Sequence, residues 1–430
     1  MFRYMLNDLK DFLDDQCGIV VGNNILVHML WADDLVLLSD SASGLQKQLN
    51  GLLEFCSKYQ MIVNELKTKV MIYGKPTDDN FKFNNKCLDI VSEYKYLGVI
   101  FNNTANLKAN IFKNMIQYIA TKSRKACFAT TRKCASVGFL TPKVATMLFD
   151  TFVSSVMNYA AEIWCRPTET DVIEKIQLRY MKFILGVKQS TCSLALYGEL
   201  GRFPVHLKHM SNLMKYWIRL LKQPDNSLVK RSYHLLLDLD NSGFKTWAGK
   251  IREILTEYNM EKYWEDQVTT GNTSKEFVAL FKEIVFNRYR NQWYNNITKY
   301  PKMRTYIKFK QELRMETYLL EIRDFKLRRN LSKFRLSSHK LEIETGRYNN
   351  VTIDQRICRN CDKNCVEDEE HALIDCPSYS STRARFFIEV KRIDRLHTLN
   401  FIDLMKSKNI DILFCLAKFI SKVFAERKEG

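Results

Sequence analysis

The chain has 430 residues, 46% hydrophobic and 12% aromatic, which excludes a disordered polymer and a lone small domain and predicts two to four units. Its 66 Lys and Arg against 48 Asp and Glu leave a net charge of +18, which points to a polyanionic partner, nucleic acid ahead of an anionic membrane surface. No apolar run is long enough to span a bilayer, and Met1 to Lys10 lacks the apolar core and cleavage site of a secretory signal; the 12 cysteines read as reduced thiols or metal ligands of a cytoplasmic or nuclear protein.

In chain order, Met1 to Leu9 reads as the end of a helix. Ile19 to Val21 and Ile25 to Trp31 read as strands flanking the turn Gly22-Asn23-Asn24, and Leu35 to Leu38 is a further strand after Ala32-Asp33-Asp34. Ser43 to Tyr59 places Leu45, Leu49, Leu52, Leu53 and Cys56 on one helical face, with Ser43 and Gln46 as a capping box. A strand pair, Gln60 to Val63 with Lys69 to Tyr73, leads through a loop around Pro76 to Asn80 into strands ending at Tyr94 to Phe101. Beyond residue 105 helix dominates. Thr141-Pro142 starts a helix with Val144, Leu148, Phe152, Ser155 and Tyr159 on one face. Asp171 to Leu185, closed by Gly186, carries Ile173, Ile176, Tyr180, Phe183 and Ile184 on one side and a basic stripe, Lys175, Arg179 and Lys182, beside it. Residues 205–345 are helical and rich in Trp, Tyr, Lys and Arg, a Cys/His cluster fills 358–376, and an apolar helix near Ile410 to Phe424 should pack against another element. The class is α+β.

Two carboxylates at a hairpin tip, Asp33 and Asp34, can hold hard divalent cations for two-metal phosphoryl transfer; the same pair also makes an ordinary polar turn. Lys67 and Lys69 fit contact with a triphosphate or a general-acid role, or a basic turn before a strand. Tyr94, Tyr96, Leu97 and Gly98 fit support of a primer end, or cross-strand packing. Lys175, Arg179 and Lys182 suit backbone phosphates, or are a solvated face. Cys358-x2-Cys361-x9-His371-x4-Cys376 is a closed set of soft ligands for structural Zn2+, with Cys365 as a fifth candidate able to replace Cys361. His339 reads as a structural hydrogen-bonding residue. The aromatic residues near Trp293, Tyr306, Phe309, Tyr318, Phe325 and Phe334 stack bases or build core.

Ala32-Asp33-Asp34-Leu35-Val36-Leu37-Leu38-Ser39 resembles the catalytic turn of LINE-type (non-LTR) retrotransposon reverse transcriptases, with Trp31 in place of the usual Phe or Tyr. The resemblance continues in order. Leu6-Asn7-Asp8-Leu9 resembles the end of the nucleotide-binding helix, Asn64-Glu65-Leu66-Lys67-Thr68-Lys69 the next palm motif, and Tyr94-Lys95-Tyr96-Leu97-Gly98-Val99 the primer-grip hairpin. Leu148-Phe149-Asp150 with Tyr159 and Trp164 resembles the start of the thumb and connection; Leu185-Gly186-Val187 and Glu199-Leu200-Gly201-Arg202-Phe203-Pro204 resemble a downstream signature, and the Cys/His cluster the C-terminal zinc knuckle. The resemblance implies a partial palm over 1–104, a helical thumb and connection over 105–230, a basic helical linker over 231–345, and a knuckle with a C-terminal helix over 346–430. It implies RNA-directed DNA polymerisation with Mg2+ or Mn2+ at Asp33 and Asp34, Zn2+ at the knuckle, and an RNA template with a DNA primer or hybrid as partners. It also implies that the family's fingers and first metal-binding Asp lie upstream of Met1, so this chain alone is expected not to polymerise. The alternative is a non-catalytic nucleic-acid-binding remnant or co-opted protein.

Overall fold

A computed structural model describes residues 6–74, 79–103, 112–138, 140–164, 171–267 and 271–427. Residues 1–5 of the expected N-terminal helix, and 76–78 of the expected loop, lie outside them. The chain divides into two units, neither of them continuous in sequence: Met1–Tyr118 with Ala160–Cys165 and Ser211–Ala279, and Ile119–Tyr159 with Arg166–Met210 and Leu280–Gly430. Described strands fall between residues 19 and 102, in two-stranded pairs; the rest is mainly helix.

In the first unit, β1 (Ile19–Val21) pairs antiparallel with β2 (Asn24–Leu26), and β3 (His28–Trp31) with β4 (Asp34–Leu37). The long strand expected over Ile25 to Trp31 is thus divided at Val27. Its front pairs backwards in the chain and its rear forwards, and the Leu38 N–H still reaches the Val27 carbonyl at 2.7 Å. Behind these hairpins lies the helix Ala42–Lys58. Its Leu49, Leu52, Phe55 and Cys56 join Leu9, Leu13, Val27, Val70, Phe81, Phe83 and Leu88 in one core, with Leu45 and Leu53 partly buried against it. Gln48, polar yet fully buried, is satisfied by the backbone of Asp14: its amide donates to the carbonyl at 2.7 Å and its oxygen accepts from the N–H at 3.3 Å.

Two sequence expectations fail here for identifiable reasons. The helix cap is Ser41, whose hydroxyl accepts from the Gly44 N–H at 3.2 Å. Ser43 lies inside the helix, and Gln46 clamps the Lys82 backbone instead, donating to its carbonyl and accepting from its N–H, both at 2.8 Å. The second concerns Lys69. β5 (Lys69–Val70) pairs in parallel with β8 (Asp89–Ile90), not with 60–63. Gln60 takes a left-handed φ of 53°, and residues 61–64 form no strand, so the alternation in that stretch marks an extended segment without a ladder. β6 (Lys82–Phe83) and β7 (Lys86–Cys87) form a hairpin between the parallel partners, and β9 (Glu93–Tyr96) pairs with β10 (Val99–Asn102). The helical part of this unit is built around Trp217, which stacks on Trp264 at 5.9 Å and donates to the Tyr233 hydroxyl at 2.9 Å.

In the second unit, Thr141 caps the helix Pro142–Leu148 as expected, accepting from the Val144 N–H, with Pro142 in the first turn. The expected face is not the buried one. Val144, Phe152 and Tyr159 are exposed, while Ala145, Phe149, Val153 and Met157 are buried. The helix passes through a π turn at Phe149–Val153, and this wider turn keeps residues four apart in register with the core. The helix Asp171–Leu185 ends at Gly186, φ 66°, as expected, and buries Ile173, Ile176, Tyr180 and Ile184. The C-terminal helix Ile410–Glu426 packs against Phe325–Arg335 and Ser380–Ile393, with the Phe386 and Phe419 rings stacked at 4.9 Å. Trp293, Tyr306, Phe309, Tyr318 and Phe334 are core residues, which removes them as base-stacking platforms. No described helix is long and apolar enough to cross a membrane.

Candidate functional sites

The Asp33-Asp34 pair lies at the tip of the β3–β4 hairpin, where Trp31 faces Asp34 across a two-residue turn. Ala32, the first of those two residues, has φ 54°. That conformation suits glycine and strains alanine by about 1–2 kcal/mol. Trp31 is 67% exposed, so the ring does not pack beneath the turn. Both carboxylates are exposed, while Leu35 and Leu37 behind them pack on the core. The hairpin therefore projects two acids into solvent from an anchored base. Among the described residues no third Asp, Glu, His or Cys gathers with them to form a metal-competent group.

The tyrosine hairpin reaches the same unit's other expected site residues. Leu97 and Gly98 both have positive φ, 46° and 79°, the pattern of a two-residue hairpin turn whose twist matches its strands. Tyr96 faces Val99, and Tyr94 faces Phe101. Burial and then the negative charge of Asp34 push the Tyr96 phenol up. Tyr94 donates its hydroxyl to the Lys67 carbonyl at 3.1 Å. The Lys67 N–H turns back on Asn64, and its side chain is exposed. Lys69 is engaged: its ammonium pairs with Asp89 at 2.6 Å.

In the second unit, Lys175 and Arg179 are exposed along Asp171–Leu185, whereas Lys182 donates to the Gln189 carbonyl at 2.7 Å. The stripe thus presents two cations with no carboxylate partner among the described residues and one that is tethered.

The Cys/His cluster closes. One ligand atom each from Cys358, Cys361, His371 and Cys376 lie within 4.8 Å of one another. The β-bridge Ile357↔Val366 brings the Cys358 turn together, and the Cys358 N–H bonds the Cys365 carbonyl at 2.8 Å. His371 opens a π turn, its N–H held by Asp368 at 2.8 Å, and its carbonyl accepts from Cys376 N–H at 2.8 Å. Cys365 is not in the converging four; its sulfur lies against the His371 ring, 3.3 Å from Nδ1. Burial raises the Cys358 and Cys376 thiols. Three sulfurs and an imidazole nitrogen converging in a closed group are the donor set of a structural zinc site, and a bound cation would offset the thiolates' desolvation.

The acidic run between the ligands, Glu367-Asp368-Glu369-Glu370, ties this cluster to its unit. Glu367 pairs with Arg427 at 2.8 Å and accepts from the Glu342 N–H at 2.7 Å. Glu369 accepts from His339 at 3.0 Å, Arg304 at 3.0 Å, Thr305 at 2.9 Å and Ser337 at 3.1 Å. Burial raises the Glu369 carboxyl, but the His339 hydrogen bond and charge, with Arg304, outweigh it and hold the pKa at about 2. His339 is thereby structural, as expected. Arg427 gave no signal in the sequence, because a lone Arg near a terminus looks like any surface charge.

Residues 1–101, which contain the Asp-Asp tip and the tyrosine hairpin, match the family model of reverse transcriptase (RNA-dependent DNA polymerase). An uncharacterized transposon-derived protein of Caenorhabditis elegans is 29% identical over 157 residues, 34% of this chain and 50% of that protein. The retrovirus-related Pol polyprotein from type-2 retrotransposable element R2DM of Drosophila melanogaster is 31% identical over 121 residues, 26% of this chain and 11% of that protein. The matched part of this chain thus spans half the length of the first relative and about a tenth of the second. The similarity to the reverse transcriptase family model thus covers residues 1–101.

Proposed function

We propose that this chain acts on nucleic acid as part of an RNA-directed DNA polymerase of a non-LTR retrotransposon. In this reading 1–104 is palm, 105–230 thumb and connection, 231–345 basic linker and 346–430 knuckle with C-terminal helix. Asp33 and Asp34 hold Mg2+ or Mn2+, which neutralises charge on the attacking and leaving oxygens. Lys67 and Lys69 serve the incoming triphosphate, the hairpin of Tyr94, Tyr96, Leu97 and Gly98 supports the primer end, and Lys175, Arg179 and Lys182 touch backbone phosphate. Cys358, Cys361, His371 and Cys376 hold Zn2+ for structure. The observation that carries the reading is the Asp-Asp hairpin tip, inside the segment that matches the reverse transcriptase family.

A second reading, a non-catalytic nucleic-acid-binding protein, is favoured by one observation: the described residues bring no third metal ligand to Asp33 and Asp34. Both readings expect binding of template–primer that weakens steeply with salt. Primer extension on an RNA template with Mg2+ is the test of catalysis. The expected result is binding without extension by this chain alone, because two metals need carboxylates from more than one strand. Extension abolished by Asp33→Asn would overturn that expectation and establish the polymerase directly. Loss of all nucleic-acid binding at low salt would sink both readings.

A further inference from the structure

We infer that the seam between the helices Asp171–Leu185 and Phe325–Arg335 is a binding site for a single nucleic-acid strand, with Lys188, Arg329 and Lys333 on its phosphates and Tyr348 beneath a base. The inference rests on the nucleic-acid reading above and assigns it a place in the second unit.

The argument begins with how this unit treats its other buried cations. Arg335 is paired with Glu199 at 2.6 Å and Glu316 at 2.8 Å, Arg427 with Glu367 at 2.8 Å, and Arg304 with Glu369 at 3.0 Å. Arg328 and Arg356, buried without a carboxylate, donate instead to backbone carbonyls: Arg328 to Ile322 at 2.7 Å and Leu140 at 3.2 Å, Arg356 to Ile343 at 2.7 Å and Val351 at 2.8 Å. A buried charge without any such partner is destabilising, so an acid or a carbonyl meets each of these cations. Arg329 and Lys333 break this pattern. Both are half-buried, and among the described residues neither side chain has a carboxylate or carbonyl partner. The Arg329 Nε is a buried donor with no hydrogen-bond acceptor. Burial lowers the Lys333 ammonium, and the like charges of Arg329 and Lys188 lower it further. Arg329 and Lys333 thus carry a desolvation cost, Lys333 also the repulsion of Arg329 and Lys188, and among the described residues no carboxylate pairs with any of the three. A polyanion would.

The cluster is also pre-organised. The guanidinium of Arg329 lies over the Phe325 ring at 4.7 Å. It sits on Gly186, where an added Cβ would fall 1.7 Å from its Nε, so the glycine makes the seat. Arg329 and Lys333 are one helical turn apart, about 6 Å along the axis. Lys188 is anchored at both ends: its N–H bonds the Ser338 hydroxyl at 2.8 Å and its ammonium the His339 carbonyl at 3.0 Å. Two ammonium protons remain for a ligand. That ammonium also lies 5.8 Å from the centre of the Tyr348 ring, which is 58% exposed and hydrogen-bonded through its hydroxyl to Ser190 at 3.2 Å. A fixed, exposed aromatic face beside unpaired cations is the arrangement that binds an unstacked base and its flanking phosphates. A duplex, whose bases are already stacked, would use the cations and leave the ring idle.

The test is fluorescence anisotropy of the full chain with a labelled oligouridylate and with a duplex of equal length, from about 50 to about 300 mM salt. For the single strand, Arg329→Gln with Lys333→Gln should make the slope of log K against log salt shallower by about 1.4, and Lys333→Gln alone by about 0.7. Tyr348→Ala should weaken single-strand binding on the order of ten-fold and leave duplex binding and the slope unchanged. Lys333→Gln should also raise the unfolding temperature, because it relieves repulsion; a residue serving structure would give the opposite sign. Wild-type binding with unaltered slopes in both lysine and arginine variants overturns the site while leaving the nucleic-acid reading intact. Equal losses for strand and duplex in Tyr348→Ala overturn the single-strand assignment. No binding by the wild type overturns the inference and the reading beneath it together.

Discussion

Glu199 illustrates how much one side chain can decide. It is fully buried, and three donors converge on it: Arg335 at 2.6 Å and the hydroxyls of Tyr318 at 2.8 Å and Tyr306 at 3.0 Å. Arg335 in turn pairs with Glu316 and donates to the Met405 carbonyl at 2.7 Å. A fully satisfied network of this kind is stable, but removing one member strands the rest. Glu199→Ala should therefore lower stability by about 3–5 kcal/mol, since Arg335 keeps its burial and loses a carboxylate. Urea unfolding of the variant measures this, and a loss under about 1 kcal/mol, the worth of one ordinary hydrogen bond, would refute the account. The neighbouring Gly201 has φ 62°, and a Cβ there would lie 2.4 Å from the Met315 backbone nitrogen. The motif Glu199-Leu200-Gly201 thus docks one chain segment edge-on against another, at the bridge Leu200↔Met315.

At the scale of elements, the start of the helix Ala42–Lys58 separates two readings that differ by two residues. Either Ser41 or Ser43 can cap a helix in principle, and both precede suitable leucines. The geometry chooses Ser41, whose hydroxyl meets the Gly44 N–H, and whose own N–H is held by the Ser39 hydroxyl at 3.3 Å. Ser41→Ala should cost about 1 kcal/mol, whereas Ser43→Ala, at an exposed position inside the helix where Ala is the better helix former, should cost nothing or gain a few tenths. Thermal unfolding of the two variants is the check, and a larger loss for Ser43→Ala would restore the other cap. The π turn at Phe149–Val153 is a second case. Both the expected and the observed faces have residues four apart, so periodicity alone could not say which of them points inward.

For the molecule as a whole, the Cys/His cluster links stability to metal binding. Its ligands hold together chain from Cys358 to Cys376, and Glu367 and Glu369 carry that loop into the ion-pair networks of its unit. We expect one zinc per purified chain, with His371→Ala and Cys376→Ser both losing it and lowering the unfolding temperature. Cys365→Ser should keep the metal, because its sulfur is outside the converging four. Metal analysis of the three variants decides the ligand set: zinc retained in His371→Ala, or lost in Cys365→Ser, would replace it.

The sequence by itself determined what depends on neighbours along the chain. It gave the Asp171–Leu185 helix and its Gly186 stop, the Thr141-Pro142 start, the β3–β4 turn with Asp33 and Asp34 at its tip, and the Cys-x2-Cys and His-x4-Cys halves of the cluster. Each is written in capping chemistry, turn conformation or ligand spacing, all of which act over a few residues. Tertiary structure decided what depends on partners far away in the chain. Lys69 pairs with Asp89 in a parallel register that no alternation of residues 60–73 could announce. Trp293, Tyr306, Phe309, Tyr318 and Phe334 are core because the fold covers them, and aromatic residues at helical spacing look the same whether covered or bare. Arg335 and Arg329 lie on one helix, Phe325–Arg335, six residues apart. One is paired with Glu199 and Glu316, and the other is left without a carboxylate among the described residues. The charge of an arginine is fixed by its chemistry, but whether an acid comes to meet it is settled only when distant segments fold together.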